Sequence, residues 1–404
     1  MRSQDERVAR ALGGRGDAPG AVVIGGDYQG LGIVRSLGRR GVDVLVVDDE
    51  RSIARHSRFA TAAVRVPELR DEQATVQTLL DLGERHALDG WVVFPTREET
   101  VAALSRYRER LTARFRIPTP GWGVVEWAWD KRKTYEIAAE LGIATPRTWL
   151  VGSAEELDAV DGDPPFAVKP AIKERFLYAT GDKAWRADTR AQLDARFREA
   201  AELVGAGEVI VQELIPGAGE TQLAYCGFFR DGRASASMVV RRLRQHPPLF
   251  GRASTFVQTI EHPELEEVSE RLLRRIGYYG LVELEYKHDV RDGQTKLLDV
   301  NARTWGYHSL GQRAGVDFPY LLYADQLSLP APDGLRAPPG VSWIRLATDV
   351  PTAVALLAHG ALDGRAYLRS LRAANIESVF SSDDPLPGLA EVGLLPYLAV
   401  KRGF

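Results

Sequence analysis

The segment LVELEYKHDVRDGQTKLLDVNARTWG, residues 281–306, carries side chains that could bind a metal ion. It contains two short β runs joined by a tight turn, with Glu285 on the first run and Asp299 and Asn301 on the second. Residues two apart on a strand point to the same face, so a hairpin paired across the turn would bring the three together. Carboxylate and amide oxygens suit Mg²⁺, and Arg303 on the same face could neutralise a phosphoryl group. The alternative is a solvated polar face on which any acid would serve.

Lysines and further acids lie upstream of this hairpin. Lys131 opens a helix in DKRKTYEIAAELGIATP, and Lys169 lies in the apolar strand FAVKP, where a lysine costs desolvation unless it meets an anion. In VIVQELIPGAGETQ, Glu213 ends a β run and Glu220 follows seven residues later, after a Pro-Gly turn. Each lysine alone is typical of a protein surface, so it is the combination that indicates a site for an anionic ligand.

The order of these features resembles the ATP-grasp superfamily: a lysine, a strand lysine, a hinge with an acid, a second acid, and then an acid followed by acid-x-Asn-x-Arg. The resemblance covers roughly residues 20–330. Within the superfamily, GGDYQGLGIVRSLG, RRLRQHPPLFG and NARTWGYHSLGQRAGVDFP are similar to carboxylate–amine ligases related to D-aspartate ligase.

The resemblance implies a role for each matched residue. Lys131 and Lys169 would contact the phosphates of ATP, with Lys169 also near the adenine pocket, and Glu220 would hydrogen-bond the ribose. Arg303 would stabilise the phosphate and the tetrahedral intermediate. The hinge that would hold adenine through its backbone consists of Gln212, Glu213, Leu214 and Ile215. The ligands of two Mg²⁺ ions, for which Mn²⁺ could substitute, would be Glu285, Asp299 and Asn301.

The sequence departs from the superfamily pattern in two places. Asp299 stands where glutamate is more usual, which changes the reach of the carboxylate. The segment AIKERFLYATGDKAWRA contains one glycine, Gly181, where many relatives have a glycine-rich phosphate loop. Lys173 or Lys183 could supply the phosphate contact instead.

A basic segment, VVRRLRQHPPLFGRASTF, is open to two interpretations. Arg241, Arg242 and Arg244 precede Pro247 and Pro248 in a turn beside the expected cleft. They could grip a carboxylate substrate or the acyl phosphate as an arginine fork, and on this interpretation Arg241 and Arg244 are catalytic. Equally, they could form a solvated charge run at a sheet edge.

The glycine-rich turn in AVVIGGDYQGLGIVRSLGRRGVDVLVVDD, residues 21–49, raises the question of a dinucleotide site. Its glycines are not in G-x-G-x-x-G register, although Asp48 ends the second strand where a ribose-binding acid would lie. A tight turn without a ligand, or a turn whose amides hold a substrate carboxylate, are the alternatives. Since the corresponding domain of ATP-grasp proteins holds substrate, we expect a substrate surface here and not an NAD site.

The elements that position these residues follow two patterns, α/β and then α+β. Strands and helices alternate over the first 120 residues or so, which predicts a doubly wound parallel sheet. After RIPTPGWGVVEWAWD, single helices separate β-rich segments. The expected organisation is a disordered tail (1–20), a Rossmann-like pre-ATP-grasp domain (21–125), two ATP-grasp subdomains (126–205 and 206–330) and a small C-terminal extension (331–404).

Composition restricts the partners. The 404 residues carry a net charge of −3, which gives no electrostatic reason to expect nucleic acid, and no apolar run is long enough for a membrane span. A single cysteine, Cys226, and the lack of a signal-peptide pattern favour a cytoplasmic location. We therefore expect small-molecule partners, a carboxylate and an amine, and possible homodimerisation.

The predicted activity is ATP-dependent ligation of a carboxylate to an amine through an acyl phosphate, with release of ADP and phosphate. An ATP-grasp enzyme with a thiol or hydroxyl acceptor and an ATP-binding regulatory protein without turnover are the alternatives. Nothing in the sequence identifies the two substrates.

Overall fold

The N-terminal part of the protein is a Rossmann-like domain. The computed structural model describes residues 4–13, 18–217, 219–251 and 253–402. Four parallel strands form a sheet of order β3-β2-β1-β4, with helices around it. The elements are α1 (Gln4–Leu12), β1 (Ala21–Ile24), α2 (Tyr28–Gly38), β2 (Val44–Asp48), β3 (Ala62–Arg65), α3 (Glu72–Arg85), β4 (Val92–Pro95), α4 (Glu98–Arg106) and α5 (Arg108–Thr112).

A small antiparallel sheet of order β5-β8-β6-β7 follows. Its elements, with the two helices that precede it, are α6 (Trp122–Trp129), α7 (Lys131–Glu140), β5 (Thr148–Leu150), β6 (Phe166–Pro170), α8 (Lys173–Thr180), β7 (Trp185–Ala187), α9 (Arg190–Val204) and β8 (Val209–Glu213). The boundary expected between residues 205 and 206 differs from the structure, because β8 pairs with both β5 and β6. A strand and its pairing partners form one unit, so the first subdomain extends through Glu213.

A large mixed sheet forms the rest of the protein, in the order β13-β12-β9-β10-β11-β15-β16, with β14 beside β10. Its elements are β9 (Gln222–Arg230), β10 (Arg233–His246), β11 (Ala253–Ile260), α10 (Pro263–Arg275), β12 (Gly280–His288), β13 (Thr295–Asn301), α11 (Ser309–Arg313), α12 (Phe318–Gln326), β14 (Leu335–Arg336), β15 (Ser342–Ile344), α13 (Leu346–Ala358), α14 (Gly364–Ala373), β16 (Ile376–Glu377) and α15 (Leu386–Arg402).

The two faces of the large sheet have different neighbours. Alternate residues such as Val240, Val257 and Trp343 share one core with Leu31 of α2, so this face packs against the Rossmann-like domain. The opposite face, which includes Val239, packs against α6, α7 and α10. The period-two alternation of the strands therefore decides which side chains face the N-terminal domain.

Segments near both chain ends pack into the body of the protein. Residues 1–20 were expected to be a disordered tail, but α1 buries Val8 and Leu12 in the core of the Rossmann-like domain, while residues 1–3 and 14–17 lie outside the described part. The extension from residue 331 supplies β14, β15 and β16 to the large sheet. It is also tied to α2 through a buried ion pair, Arg35 Nε to Asp384 Oδ2 at 3.0 Å. The extension is thus part of the body of the protein. Across the described residues, helices long and apolar enough to span a membrane are absent.

Candidate active site

The β12–β13 hairpin brings the predicted metal ligands together. Glu285 lies directly opposite Asp299 in the antiparallel pair, and Glu283 lies opposite Asn301. Asn301 Nδ2 donates to Glu285 Oε1 at 3.1 Å and to Glu283 Oε2 at 3.0 Å. Three acids and an amide thus share one face of the sheet, and the shared face of Glu285, Asp299 and Asn301 is the one that the residue spacing predicts.

Buried cations contact these acids. Lys131 Nζ lies 2.9 Å from Asp299 Oδ1, and Arg242 Nη2 lies 3.4 Å from Glu285 Oε1. Burial opposes ionisation of both carboxyls, but Arg242 and Lys183 lower the pKa of Glu285 to about 2, and Lys131 and Lys173 lower the pKa of Asp299. Both acids are therefore negatively charged at neutral pH.

The N-terminal domain contributes an acid that sequence reasoning missed. Glu98, the first residue of α4, accepts hydrogen bonds at a single oxygen, Oε1, from Arg303 Nε at 2.7 Å and Lys173 Nζ at 2.9 Å. Lys173 also donates to Asn301 Oδ1 at 3.1 Å. Burial disfavours the charged form of Glu98, but Arg303 and Lys173 lower its pKa. The available signal was the acidic pair Glu98-Glu99, which begins α4 shortly after the end of β4.

Glu283 is a second residue that the sequence did not single out. It is buried, accepts a short hydrogen bond from Tyr307 Oη, and has a pKa raised by burial and by the charge of Glu285. Cys226 Sγ lies 3.6 Å from the same hydroxyl group, and burial raises the pKa of its thiol. Glu283 alternates with Glu285 along β12, so the period of two could have revealed it.

The donor set fits a hard divalent cation. Groups of three or more His, Cys, Asp or Glu side chains arranged to hold a metal are not found among the described residues. The candidate set is instead two carboxylates and one amide oxygen, from Glu285, Asp299 and Asn301, which is the oxygen chemistry that Mg²⁺ prefers with substrate phosphates. Lys131 and Arg242 pair with Asp299 and Glu285 and balance the charge of the two carboxylates.

A cavity between the small and the large sheet contains the predicted nucleotide contacts. Lys169 and residues 212–215 line it, together with Lys287 of β12 and the turn residues Leu249 and Phe250. Lys169 Nζ donates to Tyr135 Oη at 2.7 Å, which fixes the ammonium group at the cavity wall. Arg252, in the same basic segment, lies outside the described residues.

The hinge contacts are partly engaged within the protein. The Glu213 carboxylate accepts from Lys296 Nζ at 3.0 Å and Arg291 Nη2 at 2.8 Å. The amides of Glu213 and Leu214 donate to the carbonyl oxygens of Arg147 and Pro165. A backbone contact with adenine therefore has to use other groups of this segment. Glu220 is exposed beside the cavity, where its charge acts on Lys287.

The structure corrects the predicted arginine fork. Arg241 is exposed and lies on the opposite face of β10 from Arg242. Arg244 donates to Asp349 at 2.8 and 2.9 Å and to Ser370 at 2.9 Å, so it attaches α13 and α14 to the sheet. A register shift between Arg242 and Arg244 places the two side chains on different faces, and Arg242 is the arginine of this segment that faces the acids.

The glycine-rich turn has an internal function. Gly25 has a φ of +91°, and an added Cβ would lie 2.2 Å from Thr96 Oγ1, so the tight turn requires glycine. Asp48, the candidate ribose ligand, accepts from the Gly26 amide at 2.6 Å and pairs with Arg97 Nη2 at 2.7 Å. The acid is thus held by the protein itself, which disfavours a dinucleotide site.

Comparisons with known proteins agree with this geometry. A family model described as ATP-grasp in the biosynthetic pathway with Ter operon matches residues 228–345. The D-aspartate ligase of Enterococcus faecium is 22% identical over 300 residues, covering 70% of each chain.

Solved structures share the fold. The L-amino acid ligase from Bacillus licheniformis superposes with a TM-score of 0.60 at 18% identity, covering 80% of this chain and 78% of its own. N5-carboxyaminoimidazole synthetase from Staphylococcus aureus, complexed with ADP, gives 0.59 at 16% identity and 78% coverage of both chains. The predicted α/β and α+β architecture is confirmed: the chain shares the fold of these enzymes, residues 228–345 match an ATP-grasp family model, and the chain is similar to D-aspartate ligase.

Proposed function

We propose that the protein joins a carboxylate to an amine at the expense of ATP, through an acyl phosphate, and releases ADP and phosphate. The observation that carries the proposal is the pair Glu285–Asp299, with Asn301 beside it, surrounded by buried cations on the face of the sheet that borders the cavity. Phosphoryl transfer needs positioned charge more than covalent catalysis, and this arrangement supplies it.

The acids would hold magnesium ions. Glu285, Asp299 and Asn301 would bind two Mg²⁺ ions, for which Mn²⁺ would substitute, and the ions would neutralise the phosphates during transfer. Because the low pKa of Glu285, about 2, keeps this group ionised, the site is ready for a cation throughout the physiological pH range.

ATP would lie in the cavity between the two sheets. Lys169 and the segment 212–215 line this cavity, so adenine would bind at the hinge and Lys169 would reach the phosphates. Glu220 would contact the ribose from the rim. Lys131, 2.9 Å from Asp299, would exchange its carboxylate partner for a phosphate when a metal ion takes the acid.

Arg242, Arg303 and Lys173 would act on the transferred group. The guanidinium groups of Arg242 and Arg303 are buried among carboxylates. Each could donate to the phosphoryl oxygens or to the oxyanion that forms when the amine attacks. His308 would not serve as a general base for the amine, because burial lowers its pKa to about 4 and its Nδ1 is bonded to the Trp305 carbonyl. The acceptor amine and the acid are small molecules in this proposal.

Analysis of the spent nucleotide tests the proposal. The protein is incubated with ATP, Mg²⁺ and pooled amino acids, and nucleotides and new product masses are measured. We expect ADP and phosphate, and we expect hydroxylamine to trap the acyl phosphate as a hydroxamate. AMP and pyrophosphate as the products would contradict an acyl-phosphate route.

A further inference from the structure

Arg345, just after β15, is a fully buried arginine with unused hydrogen-bond donors. Its side chain is 0% exposed, and its Nη2 donates to Glu391 at 2.7 Å. Nε and Nη1 have no acceptor among the described residues. A buried charged group with unmet donors is costly, so two such donors on one guanidinium call for an explanation.

The hydroxyl group of Thr255, beside Arg345, also lacks a hydrogen-bond partner among the described residues. The Arg345 amide donates to the Thr255 carbonyl at 3.0 Å, so the two residues are neighbours on adjacent strands. Thr255 is also buried, and its Oγ1 has no partner within the described chain. Two neighbouring residues thus present three donors without acceptors, and one guanidinium donor together with the hydroxyl group could bind a carboxylate.

The position of Arg345 relates it to the active site. Arg242 pairs with Val257, and Val257 pairs with Trp343, two residues before Arg345. Period-two alternation therefore puts Arg345 on the same face of the sheet as Arg242. Since Arg345 lies two strands across the sheet and two residues along it from Arg242, the Cα atoms of the two arginines are about 12 Å apart. That separation suits the two ends of one small substrate.

The N-terminal domain covers Arg345 with a residue of opposite charge. The guanidinium carbon lies 3.9 Å from the ring centroid of Tyr28, the first residue of α2, and Nη2 lies 3.6 Å from Asp27 Oδ1. The Asp27 side chain is 47% exposed, so this acid faces both the solvent and the arginine. Stacking on the ring leaves the edge of the guanidinium directed at ligands.

We propose that Arg345 and Asp27 recognise an α-amino acid substrate by its head group. Arg345, with Thr255, binds the α-carboxylate, and Asp27 binds the adjacent ammonium group, while the far end of the molecule points to Arg242. The inference rests on the proposed ligase function and specifies which class of small molecule the site accepts. It also assigns a binding function to the C-terminal extension.

The competing explanation is purely structural. Through Glu391, Arg345 would only attach α15 to the sheet. Arg35 of α2 provides a matched control, because it is also a buried arginine that ties the extension to the body, through Asp384 and the Val379 carbonyl.

The test compares aspartate with two analogues in Arg345→Met, Arg345→Lys and Arg35→Met. Both enantiomers of aspartate are used, with β-alanine, which lacks the α-carboxylate, and succinate, which lacks the ammonium group. If another amino acid supports ADP release better, its own decarboxylated and deaminated analogues are used. We expect Arg345→Met to lower kcat/KM about 10- to 100-fold for the amino acid and less than about threefold for the decarboxylated analogue, with KM for ATP unchanged.

Equal losses for the amino acid and its decarboxylated analogue, as expected of Arg35→Met, would overturn the inference. So would ADP release by the wild-type protein only with acids that are not amino acids, although the proposed function would then stand. If no acid elicits ADP release, the proposed function itself fails and the inference with it. Arg345→Lys keeps the positive charge but not the planar guanidinium. A partial loss of kcat/KM that is confined to the amino acid would show that the shape of the guanidinium contributes to binding.

Discussion

Asp299 and Glu285 face each other across the β12–β13 hairpin, and each already has a cation of its own, Lys131 for Asp299 and Arg242 for Glu285. The two like charges would otherwise repel each other in a buried setting. Their cations come from different elements, α7 and β10, so the acidic pair connects one helix and one further strand to the hairpin. The charges of the two acids are therefore compensated within the protein, and the hairpin is not a solvated polar face.

This pairing determines what is expected of Asp299→Asn. Turnover should fall by at least about 1,000-fold, since the metal site loses a formal charge. The free energy of unfolding should also fall, by about 1–3 kcal/mol, because buried Lys131 keeps a hydrogen-bond acceptor but loses its counter-ion. Urea denaturation and ADP release measure the two effects. Asp292→Asn, in the exposed turn of the same hairpin, is the control and should change little in either measurement. Near-normal activity in a folded Asp299→Asn protein would contradict the metal assignment.

Substitutions of the neighbouring arginines on β10 should have very different effects on turnover. Arg242→Gln is expected to remove nearly all turnover, because it takes away a buried guanidinium 3.4 Å from Glu285. Arg241→Gln should leave kcat and KM within about twofold, since Arg241 is exposed on the other face. Steady-state kinetics on both variants measure this. Similar losses in the two would mean that the register of β10 is not the one described.

The adjacent acids Glu98 and Glu99 form a second matched pair. Glu98 is charged and holds Arg303 and Lys173, whereas burial raises the pKa of Glu99. Glu98→Gln should lower kcat about 10- to 100-fold through misplacement of the two cations, with a smaller change in KM for ATP. Glu99→Gln keeps the size of a side chain whose ionisation is disfavoured by burial, and it should be nearly neutral. Equal effects in the two variants would argue against Glu98 as the residue that positions them.

Much of this architecture follows from local patterns. The alternation of strands and helices predicts the Rossmann-like domain, and the two-residue spacing of Asp299 and Asn301 predicts their shared face, which the register with Glu285 completes. These are short-range properties, in which each side chain's direction depends on its own strand. The set Glu285, Asp299 and Asn301 was therefore accessible from the sequence.

The remainder depends on long-range packing and irregular strands. A bulge after Arg242 decides which arginine faces the acids, and no local signal in the run of arginines reveals it. Glu98 reaches Arg303 across 205 residues of sequence, and Arg345 meets Tyr28 through the docking of separate domains. The helix α1 was missed for a similar reason, because its apolar residues find a core only after the domain has folded.

Glu174, in the first turn of α8, gives the protein a pH-dependent stability. Burial raises its pKa to about 7, and the charge of Glu98 adds to this while Lys173 opposes it. A carboxyl group with a raised pKa stabilises the folded state below its unfolded value, near 4.5, and that contribution is lost as the pH rises to about 7. Glu174→Gln removes the free-energy cost of ionising this carboxyl group in the folded protein. The variant should therefore match the wild type near pH 4.5 and be more stable at pH 8, by up to about 3 kcal/mol.

Urea denaturation at pH 4.5, 6 and 8 measures this difference, with Glu267→Gln, an exposed position on α10, as the control. The control should show the same small change at every pH. For Glu174→Gln the gain should develop between pH 4.5 and 7 and level off above it, because ionisation of the wild-type carboxyl is complete there. A gain of equal size at all three pH values would indicate an effect of shape or hydrogen bonding, and the buried carboxyl would then not be the source of the pH dependence.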